Sequence, residues 1–149
     1  MFVSDNCVFQ KAGCARLLVT LCIKRPQEFR PYADGTMKVL SGAIVDKSPA
    51  VRKSYAVAAG YVAHLSSDST LIKFIDHLKK LYCESDSEPR SISGITVLEM
   101  SRHASDELKR IYVEILPLAY FGMSDEDKGI SKVWTEVWEE NTAGKEYIV

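Results

Sequence analysis

Four cysteines and three histidines are the residues of this 149-residue sequence best suited to act as nucleophiles, bases or metal ligands. Their spacing supports none of these roles. Cys7, Cys14, Cys22 and Cys83 form no CxxC pair, and His64, His77 and His103 do not stand at metal-finger spacing. A Cys–His nucleophile also needs a third group to orient the base, and no motif supplies one. Cys7, Cys14 and Cys22 follow one another at steps of seven and eight, which places them on one helical face. The expected state is buried, reduced thiols acting as small apolar side chains. A reducing compartment follows from that. No catalytic residue, metal or cofactor is expected.

Other residues could serve recognition. Arg52 and Lys53 are adjacent cations, and Trp134 and Trp138 stand four apart on one helical face. Tryptophan is enriched where protein partners bind tightly. The acidic run Asp125-Glu126-Asp127 fits a helix N-terminus, where carboxylates oppose the dipole. The formal net charge is −1. Nucleic-acid binding needs a clustered basic footprint, so that class is excluded. No apolar run is long enough to cross a membrane, and the N-terminal stretch is interrupted by Lys11 and Arg16. It does not read as a signal peptide. Apolar residues make up 46%, enough for a packed core.

The elements that position these residues come from a repeat. Met37, Ile75 and Val113 share a column at a step of 38, as do Leu40, Leu78 and Leu116. Val62, Met100 and Trp138 form another column, and Arg52, Arg90 and Lys128 form a basic one. A period near 40 with no strand signal indicates stacked helix pairs. The fold class expected is all-α: an α-solenoid of helix pairs with a period of about 38 residues. The helix pairs are expected at 31–65, 69–103 and 105–141, after a lone helix at about 5–24. A further element opens within 143–149. Pro31 suits a helix start, with KRPQEFRP before it as a turn. Pro49 fits the first position of the next helix, after Asp46 and Ser48 as turn or cap residues. Pro117 should kink its helix, Gly122 should end it, and Ser124 with Asp127 should form a capping box. In this register His77 aligns with Val39 and Ile115, so it is expected to be partly buried and structural. His103 aligns with Leu65. Trp138 belongs to a core column, whereas Trp134 aligns with Ala58 and Thr96 and is expected to face a partner.

The wording of the repeats resembles a known family. DKSPAVRKSYAVAAGYVAHL carries the HEAT pattern: an Asp in the turn, then Pro, then Val-Arg opening the second helix, then spaced alanines. From about residue 25 to the end, and above all in ILPLAYFGMSDED and VWTEVWEENTAG, the chain is similar to the large proteasome-associated HEAT-repeat scaffolds. That resemblance implies a non-catalytic segment of a longer solenoid that binds the 26S proteasome. It implies bridging of the core and regulatory particles, a role in assembly, quality control and tethering, and residence in cytoplasm and nucleus. Flanking repeats of a longer chain would be further partners. It also implies a ladder of turn charges, with Arg52 reaching Asp46 or Glu84. Asp46, Arg52, Lys53, Glu84, Arg90, Lys128 and Trp134 are the candidate ladder or partner-contact residues. The alternative is a HEAT-repeat binder of another class, a nuclear-transport receptor or a tubulin-binding array. A tubulin reader would want tryptophans in the turns, and here they fall within a helix.

Overall fold

The computed structural model describes the backbone of residues 2–142 and the side chains of residues 8–142. Eight helices follow in order: α1 (Phe2–Lys24), α2 (Pro26–Ala43), α3 (Pro49–Ala63), α4 (Asp68–Tyr82), α5 (Ser87–His103), α6 (Ser105–Lys109), α7 (Tyr112–Gly122) and α8 (Lys128–Thr142). No strand occurs among the described residues. The chain is an all-α solenoid. Helices α1, α3, α5 and α8 pack side by side in one layer. Helices α2, α4 and α7 form a second, looser layer against them. One core runs through the stack, from Cys22 and Phe29 to Trp134 and Val137.

Small residues make the first layer tight. Ala56, Ala58, Ala59, Gly60 and Ala63 of α3 are all buried. A Cβ at Gly60 would lie 2.6 Å from the carbonyl oxygen of Glu99, so the backbones of α3 and α5 meet there with no room for a side chain. Caps set the helix starts. The Ser48 hydroxyl accepts from the Val51 N–H and the Ser67 hydroxyl from the Thr70 N–H, each at 3.4 Å. Asp127 opens α8 by itself, accepting from the N–H groups of Gly129 (2.9 Å) and Ile130 (3.2 Å). The expected box with Ser124 is replaced by this single carboxylate.

Three prolines and glycines act differently from expectation. Residues 24–31 are no turn: Arg25 alone separates α1 from α2, and Pro26 takes the first helical turn. Pro31 lies inside α2. It removes the N–H that would meet the Gln27 carbonyl. Both residues are exposed, on the side of α2 that faces solvent. Pro117 is likewise exposed inside α7. The break in this stretch comes earlier, at Arg110 and Ile111, where the bonds tighten to Arg110 N–H to Glu107 O and Ile111 N–H to Leu108 O. Gly122 is the last residue of α7 but has no left-handed backbone. It is small because Trp134 occupies its side-chain space: a Cβ there would lie 2.2 Å from Trp134 Cγ.

The break at 110–111 also shifts the repeat. Leu71, Ile75, Leu78 and Tyr82 follow Ala33, Met37, Leu40 and Ile44 by 38 residues. Ile111, Ile115, Leu118 and Gly122 then follow by 40. All of these are buried except the half-buried Tyr82. Val113 therefore leaves the column of Met37 and Ile75 and is 82% exposed. Leu116 is half-buried beside the fully buried Leu40 and Leu78. The same slip runs through the first layer, where Trp134, Val137 and Asn141 follow Gly94, Val97 and Ser101 by 40. The two tryptophans exchange their expected roles: Trp134 is 0% exposed, and Trp138 is half-buried beside Tyr120.

The cysteine face is also corrected. Cys22 is buried, but Cys14 and Cys83 are exposed, and the Cys7 side chain lies outside the described residues. α1 packs through Ala15, Leu18 and Cys22, one residue round from Cys14. Leu17, next to Leu18 in sequence, is 59% exposed. The element expected within 143–149 lies outside the described residues.

Candidate functional site

The turns joining the layers bring Asp46, Arg52 and Arg90, three of the six charged candidates, to one edge. Arg52 donates from Nη1 to the carbonyls of Asp46 (2.9 Å) and Lys47 (3.2 Å), at the end of the α2–α3 turn. The same nitrogen lies 2.9 Å from the Glu88 carboxylate at the next turn. Arg90 repeats the device one step on. It donates to the Ser85 carbonyl at 2.6 Å. Through Nε (3.1 Å) and Nη2 (3.4 Å) it forks onto Asp125 of the turn beyond. Asp46 is paired from the other side, by Lys11 of α1 at 2.6 Å. Lys11–Asp46 thus ties α1 to the α2–α3 turn, and Arg52–Glu88 and Arg90–Asp125 continue the series along the stack.

Asp46 and Asp125 do the same local work. Each accepts the N–H two residues on, Ser48 at 3.0 Å and Asp127 at 2.9 Å. Each is held below the usual carboxylate range. For Asp46 the largest cause is the bond from Lys11, followed by the Ser48 N–H. For Asp125, burial pushes the carboxyl up, but the Asp127 N–H, the Arg90 guanidinium and the Tyr82 hydroxyl outweigh it. Burial and the bond to Asp125 push Tyr82 up to about 12.

The remaining candidates are divided. Lys53 points away from the ladder and pairs with Glu99 at 2.8 Å. Glu84 and Lys128 are exposed and carry no ion pair among the described residues. Trp134 is core and offers nothing to a partner. Sequence reasoning missed Lys11, Glu88, Glu99 and Asp125 as partners. Asp125 was findable: it lies three residues past the end of α7 as Asp46 lies three past the end of α2, but a constant step of 38 points to Glu84 and then to Gly122.

Between α3, α5 and α8 the ladder edge borders a groove of about 480 Å³. Arg52, Lys53, Glu88, Ile92, Ile95 and Ile130 are among its walls. Beyond it, Glu99 is 4% exposed and anchors Lys53, Arg102 (3.4 Å) and His103 (3.4 Å). The His103 ring stacks on Tyr61 at 4.1 Å. His64 meets the buried Glu107 at 2.7 Å, and His77 meets the Ser41 carbonyl at 2.9 Å. His64 and His77 are thus tied to a neighbouring helix and His103 to Glu99 of its own helix, a structural use. No group of three His, Cys, Asp or Glu able to hold a metal occurs among the described residues. No helix there is long and apolar enough to cross a membrane. What the edge offers is a charge-patterned surface beside a groove of mixed polar and apolar lining.

Residues 8–83 match the model of the Proteasome adapter and scaffold protein ECM29 family, HEAT-repeat domain. The chain belongs to this family. Among curated relatives of the ECM29 family, it is 35% identical over 142 residues to the human Proteasome adapter and scaffold protein ECM29. It is 24% identical over 127 residues to Proteasome component ECM29 of Saccharomyces cerevisiae. It is 25% identical over 138 residues to the Drosophila melanogaster Proteasome-associated protein ECM29 homolog. These alignments cover 90%, 83% and 90% of this chain, and 8%, 7% and 7% of the respective relatives. The chain thus spans less than a tenth of the length of each of these ECM29 relatives. No solved structure matches it. HEAT repeats are helix pairs, in agreement with the layers described above.

Proposed function

We propose that this chain is a non-catalytic scaffold segment that associates with the 26S proteasome. In this reading it contributes to bridging or stabilising the core and regulatory particles, and to proteasome assembly, quality control and tethering, in the cytoplasm and nucleus. The observation that carries the reading is the family match over residues 8–83, whose relatives are named as proteasome adapters and components. The geometry suits the role. The ladder Lys11–Asp46, Arg52–Glu88 and Arg90–Asp125 ties turn to turn, and a scaffold has to hold its repeats at a set pitch. Solenoid binders collect small contributions across many repeats on an extended surface. A segment of this size holds only a share, and association must first offset lost translational and rotational freedom.

The experiment is capture with crosslinking. The tagged chain is expressed in cells, crosslinked before lysis, purified and read by mass spectrometry against an unrelated HEAT-repeat chain of equal size. Proteasome subunits should be enriched on this chain alone. Recovery of nuclear-pore proteins or tubulin without proteasome subunits overturns the proposal.

A further inference from the structure

The second layer holds an open groove that the ladder does not use. It runs between α2 and α4, has a volume of about 380 Å³, and is walled by Lys38 and Ser41 on α2 and by Lys73 and His77 on α4. Met37 and Phe74 form its floor, at 0% and 4% exposed. The corresponding junction between α4 and α7 is bridged by an ion pair from Lys79 to Glu114. Two substitutions in register open the α2–α4 junction. Ser41 stands 38 residues before Lys79, and Phe74 stands 40 before Glu114. A long cation and its carboxylate are thus replaced by a short hydroxyl and a buried ring, and the contact between His77 and the Ser41 carbonyl spans the junction in place of an ion pair.

The groove is also electrostatically unbalanced. Lys38 and Lys73 are exposed, one on each wall, and neither has a carboxylate partner among the described residues. The one acidic group lining the groove is Asp34. It is already spent, accepting from the Ser67 N–H (2.8 Å) and hydroxyl (2.9 Å) at the start of α4. The Ser67 N–H holds its carboxyl below the usual range. His77 is tied to the Ser41 carbonyl at 2.9 Å. Two unpaired cations, one on each wall of a channel floored by Met37 and Phe74, complement a negative, extended chain.

We propose that the α2–α4 groove docks an acidic, extended peptide segment of a protein partner, with carboxylates on Lys38 and Lys73. This stands apart from the proteasome reading, since it rests on the groove alone. The test uses the 149-residue chain and a fluorescein-labelled peptide of alternating Glu, Asp and Gly. Its isosteric Gln/Asn version and a Lys-rich version serve as comparisons, and binding is read by fluorescence anisotropy. The acidic peptide should bind, and affinity should fall as salt rises, because exposed charges are screened. The K38E/K73E variant should lose at least tenfold in affinity, and K132E, on α8 outside the groove, should lose less than twofold. Both substituted positions are exposed, so circular dichroism should show unchanged helix content. Four outcomes overturn the proposal: no binding of the acidic peptide, equal binding of the Gln/Asn version, equal loss in K132E, or preference for the Lys-rich peptide. Sedimentation of the chain alone is the remaining check. Self-association abolished by K38E/K73E would assign the groove to the acidic α8 of a second copy instead, and would also overturn it.

Discussion

Replacing Gly122 by Ala should destabilise the protein, and replacing Gly35 by Ala should stabilise it. Both glycines are helical, Gly35 in the middle of α2 and Gly122 at the end of α7. Helix propensity alone favours Ala at an interior site by about 0.5–1 kcal/mol. At Gly35 nothing lies within 4 Å of an added Cβ, so that gain should appear in full. At Gly122 the added carbon would lie 2.2 Å from Trp134 Cγ and 2.5 Å from both Cδ1 and Cδ2. Carbon atoms pack best at about 3.5–4.0 Å, so the ring would have to move more than an ångström. It has no room. A Cβ at Gly94 would already lie 3.0 Å from Trp134 Nε1, and Tyr82 meets the ring edge-on at 5.6 Å. Overpacking of this kind costs about 1–3 kcal/mol, occasionally more. With the propensity gain set against it, G122A should lose about 2 kcal/mol. Urea denaturation followed by circular dichroism measures both variants, and in a chain of this size each kcal/mol moves the melting temperature by about 2–4 °C. In a W134A background, G122A should turn neutral or stabilising. If G122A alone is as stable as G35A, Trp134 does not fill the space over Gly122, and the 40-residue alignment of α7 with α4 loses its main support.

Other expectations follow from the same contacts. Leu78→Ala, at a fully buried site, should lose about 2–5 kcal/mol in chemical denaturation. Arg52→Ala should lose about 1–2 kcal/mol, since it removes two carbonyl contacts and the half-exposed pair with Glu88. Asp34, Asp46 and Asp125 all have lowered folded-state pKa values. Their contribution to stability is complete above the unfolded value of about 3.9. It should be lost as pH falls through the lower folded values, so thermal melts should drop steeply below about pH 4. Iodoacetamide at pH 8 should label the exposed Cys14 and Cys83. It should spare Cys22, which burial pushes up to about 11, until denaturant is added; peptide mapping by mass spectrometry reads the sites.

The sequence by itself determined the all-α class and the family. Apolar spacing, proline at helix starts and caps such as Ser48 are local signals, legible within a few residues. The alanines and Gly60 of α3 announced a close helix contact, because small side chains have few other uses at buried positions. Two cations of the ladder, Arg52 and Arg90, were also legible, since they recur at a step of 38, whereas Lys11 was not. Only the tertiary structure decided the third repeat. α7 is apolar nearly all round, with Val113, Tyr120 and Phe121 exposed opposite Ile115, Leu118 and Ala119. Periodicity therefore matched two registers equally well, and the choice depended on what α4, α5 and α8 present to it. The two-residue slip at 110–111 then decided which tryptophan is core and sent Arg90 to Asp125 rather than to the position a constant step predicts. A helix knows its own faces from its sequence. Which face is buried is set by neighbours about 40 residues away, and a break in the chain between them shifts that choice without leaving a local mark.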